Sequence, residues 1–145
     1  MALADLNPRS TSKYLIDADL TGAEGKLLTI DAAATATAGV TVLTLATAET
    51  DVPVGVVVVG AASDSGSYPG YATSCEVYDT LIGCFDGALA GAGGVSAGQA
   101  VMCGAAGAFI TAAALGAGDF VVGYALTSAA AGEQFTIKFN VTKKF

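Results

Sequence analysis

Near the C-terminal end the chain alternates. Phe135, Ile137, Phe139 and Val141 fall on one side of an extended backbone, and Thr136, Lys138 and Asn140 fall on the other. A side-chain period of two marks a strand with one face on a core and one in water. Residues 134–141 are therefore read as a strand. Residues 54–59 read differently. After Pro53 they run Val-Gly-Val-Val-Val-Val without a polar interruption, the pattern of a buried strand. Residues 119–126 form another clear strand segment. Shorter β-branched or apolar segments at 26–30, 40–46, 73–78 and 81–85 complete the central set. Residues 100–103 and 108–111 flank a glycine turn at 104–107 and are expected to pair as a hairpin.

Residues 35–39, 63–70 and 91–94 read as turns or loops from their Gly, Ser, Asp and Pro content. The alanines of 112–115 favour a short helix, which Gly107, Gly116 and Gly118 confine to about two turns. Strands at close intervals separated by glycine turns predict an all-β fold, a small β-barrel or β-sandwich. Residues 26–145 form this β domain. Residues 1–25 read as an extended N-terminal arm, with Pro8 and the run Ser10-Thr11-Ser12, and with Arg9 and Lys13 among its charges. Arms of this kind are often ordered by a partner. Its apolar residues Leu3, Leu6, Tyr14, Leu15 and Ile16 are the candidates for that contact.

Composition narrows the chemistry. There is no histidine, which removes Ser-His-Asp and Cys-His catalysis, His-ligated metals and the commonest general base near neutral pH. The formal charge is −7, and the one adjacent basic pair is Lys143-Lys144. A phosphate-binding surface needs clustered cations, so nucleic acid is not an expected partner. Residues 87–118 carry no charge and are long enough to cross a bilayer. Their many glycines and few large aliphatic residues argue against a membrane span, and the first residues lack the pattern of a signal peptide.

Cys75, Cys84 and Cys103 form no C-x-x-C motif. If Asp79-Thr80 were a two-residue hairpin loop, Cys75 and Cys84 would face each other within disulfide reach. Asp-Thr is not a favoured hairpin turn, however, and free buried cysteines are common. Asp17-Ala18-Asp19 offers alternate carboxylates without the surrounding pattern of a calcium loop. Gly91-Ala92-Gly93-Gly94 resembles part of a phosphate loop but lacks the following Lys-Ser/Thr. No metal, cofactor or catalytic residue is assigned, and the chain is expected not to be an enzyme.

One set of residues carries a resemblance. Gly94-Val95-Ser96-Ala97-Gly98-Gln99-Ala100-Val101 is followed by Gly107-Ala108-Phe109, and then by Gly123-Tyr124-Ala125-Leu126-Thr127-Ser128-Ala129-Ala130-Ala131-Gly132-Glu133. Together with Pro53-Val54-Gly55-Val56, this resembles the head decoration (cement) proteins of tailed bacteriophages, over residues 52–141. The resemblance implies a soluble β-barrel or β-sandwich on the outer capsid surface of the virion. It implies a homotrimer that clamps the major capsid protein. A carbohydrate-binding or adhesive β module and a self-assembling fibre subunit are the alternatives, the first weakened by the absence of tryptophan.

Overall fold

The computed structural model describes residues 11–17, 19–62 and 70–145. Among these the chain forms β1 (Thr11–Lys13), β2 (Leu15–Ile16), β3 (Leu27–Ile30), α1 (Ala32–Ala38), β4 (Val42–Leu45), β5 (Gly55–Val59) and β6 (Glu76–Tyr78). Then follow β7 (Cys84–Leu89), β8 (Ala100–Cys103), β9 (Phe109–Thr111), β10 (Phe120–Ala125) and β11 (Gln134–Lys143). The class is all-β, as the periodicity predicted. The first sheet has six strands in the order β1-β6-β5-β3-β4-β2, and the second has five in the order β7-β11-β10-β8-β9.

Side-chain alternation explains the layering. In β3, β5 and β6, adjacent residues go to opposite faces of the first sheet. Leu27, Val56 and Tyr78 join a cluster with Phe85, Phe109, Phe135, Ile137 and Phe139 of the second sheet. Leu28, Val57 and Val77 join a different cluster with Ile16, Leu20, Ala23, Ala72 and Cys75. One core lies between the sheets, and a smaller one lies on the far face of the first sheet. The valines of β5 fit this at Val56 and Val57, buried on opposite faces, whereas Val58 is half-buried and Val59 is 46% exposed. In β11, Phe135, Ile137 and Phe139 are buried while Lys138 and Asn140 are exposed. Tyr78, Phe85 and Phe139 form an aromatic triangle with centroids 5.3–6.3 Å apart. Phe109 meets Phe135 edge-on at 5.8 Å.

Three expectations are corrected. From Thr11 onward the supposed arm belongs to the first sheet. β1 pairs with β6, β2 pairs parallel with β4, and Leu20 is buried. The strands are only three and two residues long, too short to show a period of two, and their pairing depends on partners far along the chain. Residues 35–39 are not simply a turn, because α1 ends there. The Asp31 carboxylate accepts from the Ala34 N–H at the helix N-cap, and Gly39, at φ 73°, donates its N–H to the Thr35 carbonyl. Ala and Thr between those two caps propagate the helix. Residues 112–115, by contrast, are not helical.

The disfavoured hairpin between β6 and β7 does not form. β6 belongs to the first sheet and β7 to the second, so the chain crosses between layers at 79–83. Leu81 takes φ 48° there while packing on the inter-sheet core. The buried Tyr78 hydroxyl donates to the Ile82 carbonyl at 2.6 Å. Cys75 and Cys84 consequently lie in different layers, and all three cysteines are free. The β8–β9 hairpin forms as expected, with Val101, Met102 and Cys103 opposite Thr111, Ile110 and Phe109. Its turn packs on the first sheet, where a Cβ on Gly107 would lie 2.8 Å from the Leu27 carbonyl oxygen.

Candidate functional site

The arm residues singled out from sequence divide into two groups. Leu3 and Leu6 lie outside the described residues, as do residues 63–69 of the predicted loop. Tyr14, Leu15 and Ile16 attach the N-terminal segment to its own chain. The Tyr14 hydroxyl donates to the Asp79 carboxylate at 2.8 Å, which raises the phenol pKa above its usual 10. Leu15 is half-buried opposite Val42. Ile16 is 0% exposed, with its N–H donating to the Ala72 carbonyl at 3.0 Å. Ile16 is therefore a core residue of the far-face cluster, and its side chain is not available to a partner.

The acidic candidates are occupied locally. The Asp17 carboxyl shares a hydrogen bond with Asp31, which raises the pKa of Asp17. The Ala34 N–H, and then that same bond, lower the pKa of Asp31. Asp19 accepts from the Thr21 N–H, which lowers its pKa. Among the described residues no three His, Cys, Asp or Glu side chains gather to hold a metal ion. Nor is any described helix long and apolar enough to cross a membrane. Cys75 and Cys103 are buried, and burial raises both thiol pKa values, that of Cys103 to about 12.

The two longest segments that carry the family resemblance meet in space. Val95 and Ala129 exchange backbone hydrogen bonds of 2.9 and 3.1 Å. The Gly98 N–H donates to the Ala125 carbonyl at 2.7 Å, and the Ala97 N–H donates to the Ser128 hydroxyl at 2.9 Å. A side chain on Gly94 would put its Cβ 2.5 Å from the Ala129 carbonyl oxygen, at a position where φ is +69°. These small residues allow close backbone lacing at one end of the second sheet. The Gly91–Gly94 segment serves the same end. Gly91 donates to the Phe109 carbonyl at 2.7 Å, and Gly94 donates back to Gly91 at 3.0 Å. Those two amides are spent on the backbone rather than turned toward a phosphate.

Among the described residues, the outer face of the second sheet carries several exposed side chains. Cys84 stands opposite Lys138, Lys138 opposite Tyr124, and Tyr124 opposite Ala100, a row across four strands. Tyr124 is 42% exposed, and Leu126, two residues on, is 47% exposed. Ile82, at the crossover beside β7, is 62% exposed. Charge divides this face. Strands β7 and β11 carry Asp86, Lys138 and Lys143, whereas β10, β8 and β9 carry none. Sequence reading marked β10 as a strand and noted the uncharged stretch at 87–118. It did not bring them together, because their adjacency depends on strand order.

No family model matches the chain, and no curated protein matches it. Among solved structures, it is similar to the head fiber gp8.5 N base of bacteriophage phi29. The TM-score is 0.65 at 16% identity, over 94% of this chain and 97% of that one. Nearly the whole chain therefore has the fold of that head fiber base.

Proposed function

We propose that this chain is a structural protein of a tailed-phage head, non-enzymatic, and placed on the outer capsid surface of the virion. In this reading it is a homotrimeric decoration protein that clamps subunits of the major capsid protein. One observation carries the proposal: nearly the entire chain follows the fold of a phage head fiber base. The resemblance of residues 94–101 and 123–133 to head decoration proteins supports it independently. A β domain with an aromatic core and no charged side chain among its buried described residues suits a load-bearing attachment.

The same likeness favours a second reading, in which the chain is the base that seats a head fibre. Co-sedimentation with expanded, undecorated capsids, followed by thermal melting of the complex, separates the two. A clamp binds and raises the capsid melting temperature, whereas a fibre base binds and leaves it unchanged. Absence of binding overturns both.

A further inference from the structure

The N-terminal strands close the first sheet on itself. β1 and β2 stand at opposite edges of the strand order, yet Tyr14 alone separates them along the chain. Residues 11–16 are therefore one stave with a partner on each side. On one side Thr11, Ser12 and Lys13 face Tyr78, Val77 and Glu76, and Ile16 exchanges backbone bonds of 3.0 and 2.9 Å with Ala72. On the other side Leu15 and Ile16 face Val42 and Leu43 of β4. The result is a barrel in which the stave fills the gap between β6 and β4, and closure removes both sheet edges. The far-face cluster is its interior. Each stave supplies one fully buried residue: Ile16, Leu28 of β3, Leu43 of β4, Val57 of β5 and Val77 of β6.

The closing stave is lightly held. Its β4 side is parallel, the less stable pairing per residue. Ile16 is fully buried, but Tyr14 and Leu15 are half-buried, whereas β3 buries both Leu27 and Leu28 and β5 buries both Val56 and Val57. Its end sets the Asp17 carboxyl against that of Asp31, a like-charge contact once both are ionised. Further on the chain is pinned again, because Leu20 is fully buried and its N–H donates to the Ala61 carbonyl at 3.0 Å. Segments with little buried apolar surface open at lower free energy than core strands, and Leu20 anchors this one when it does.

We propose that residues 11–17 are a releasable stave, which unfolds locally and opens the barrel between β4 and β6 while the inter-sheet core stays folded. Cys75 reports the opening. Lys13 faces Glu76 and Ile16 faces Ala72, so the stave runs beside residues 73–75. Cys75 shares the cluster of Ile16, whereas Cys103 belongs to the inter-sheet core. The full chain is labelled with iodoacetamide near pH 8 without denaturant, and the two buried thiols are followed separately by peptide mass spectrometry. Cys75 is expected to react at least about tenfold faster than Cys103. Ile16→Val, in the stave, is expected to speed Cys75 about fivefold. Ile137→Val trims the inter-sheet core alone, and should speed Cys103 about fivefold while leaving Cys75 unchanged.

If Ile16→Val loses its β-sheet circular dichroism, Tyr14→Phe takes its place, with an expected acceleration of Cys75 of up to about fivefold. Equal rates at the two thiols, a Cys75 rate that follows Ile137→Val as closely as Cys103 does, or a Cys75 rate indifferent to the folded stave variant overturns the inference. The inference rests on strand pairing and its test uses no capsid, so it stands or falls apart from the functional reading.

Discussion

The two sheets bury their residues in different ways. In the first, neighbours along a strand are both inside. Val56 faces the second sheet and Val57 faces the N-terminal segment, and each is fully buried. In the second, Phe135, Ile137 and Phe139 are inside while Lys138 and Asn140 are outside. The first sheet is an inner layer with little face to offer. The second is an outer layer that turns Lys138, Asn140 and Tyr124 to solvent.

The largest test of this difference is in the shared core. Phe135→Ala removes the edge-on partner of Phe109 and is expected to cost about 3–5 kcal/mol in urea unfolding. The next test is the adjacent valine pair. Val56→Thr and Val57→Thr should each destabilise by about 2 kcal/mol, because each buries a hydroxyl in an apolar cluster. A neutral Val57→Thr would mean that the far-face core does not hold. In the second sheet the corresponding experiment is Lys138→Gln, on the outer face. It should change stability by less than about 0.5 kcal/mol.

Between these lies the attachment of the N-terminal segment. Tyr14→Phe deletes the bond to Asp79 and is expected to cost up to about 1 kcal/mol, reduced by partial exposure. The raised Tyr14 pKa fixes the sign of the pH dependence. The contribution is complete below the phenol's unfolded pKa and disappears as pH rises through the higher folded value. Parallel urea titrations of wild type and Tyr14→Phe should therefore converge at strongly alkaline pH. Asp31 and Asp17 act in opposite directions at the acidic end. The lowered Asp31 pKa supports the fold above the unfolded carboxyl value and is lost as pH falls through the folded one. The raised Asp17 pKa supports it at low pH and is lost as pH rises through its folded value.

The smallest test leaves stability untouched. Near pH 8, Cys84, half-buried on the outer face, should react with a thiol reagent in the native protein. Cys75 and Cys103, one in each core, should react only after unfolding. Mass-spectrometric counting of modified cysteines checks it. Rapid native labelling of all three would contradict the burial of both cores.

Much of the fold was legible wherever a segment was long enough to show its period. β11 announced one buried face, and β5 announced a burial that holds for Val56 and Val57 but not for Val59. The β8–β9 hairpin was legible from two apolar segments around a glycine turn. α1 had its signals in Asp31 and Gly39, but alanine and threonine between them carry no amphipathic pattern. The β6–β7 crossing between layers was not legible, for a physical reason. Two short strands joined by a few residues look the same locally whether they pair or part, and only the choice of layer separates them. Of the candidate contact residues, Ile16 was recognisable as apolar, but not as core. Tyr124 and Leu126 were visible only as parts of a strand and turn.

From its sequence alone, this protein was determined to be all-β, to lack histidine chemistry, and to concentrate its uncharged residues in one long stretch. Those properties follow from side-chain identity and from a local period of two. Tertiary structure decided that the N-terminal segment covers the first sheet, that the cysteines part between layers, and that the uncharged strands adjoin. Each of these depends on pairing between residues far apart in the chain, and local propensity carries no information about such partners.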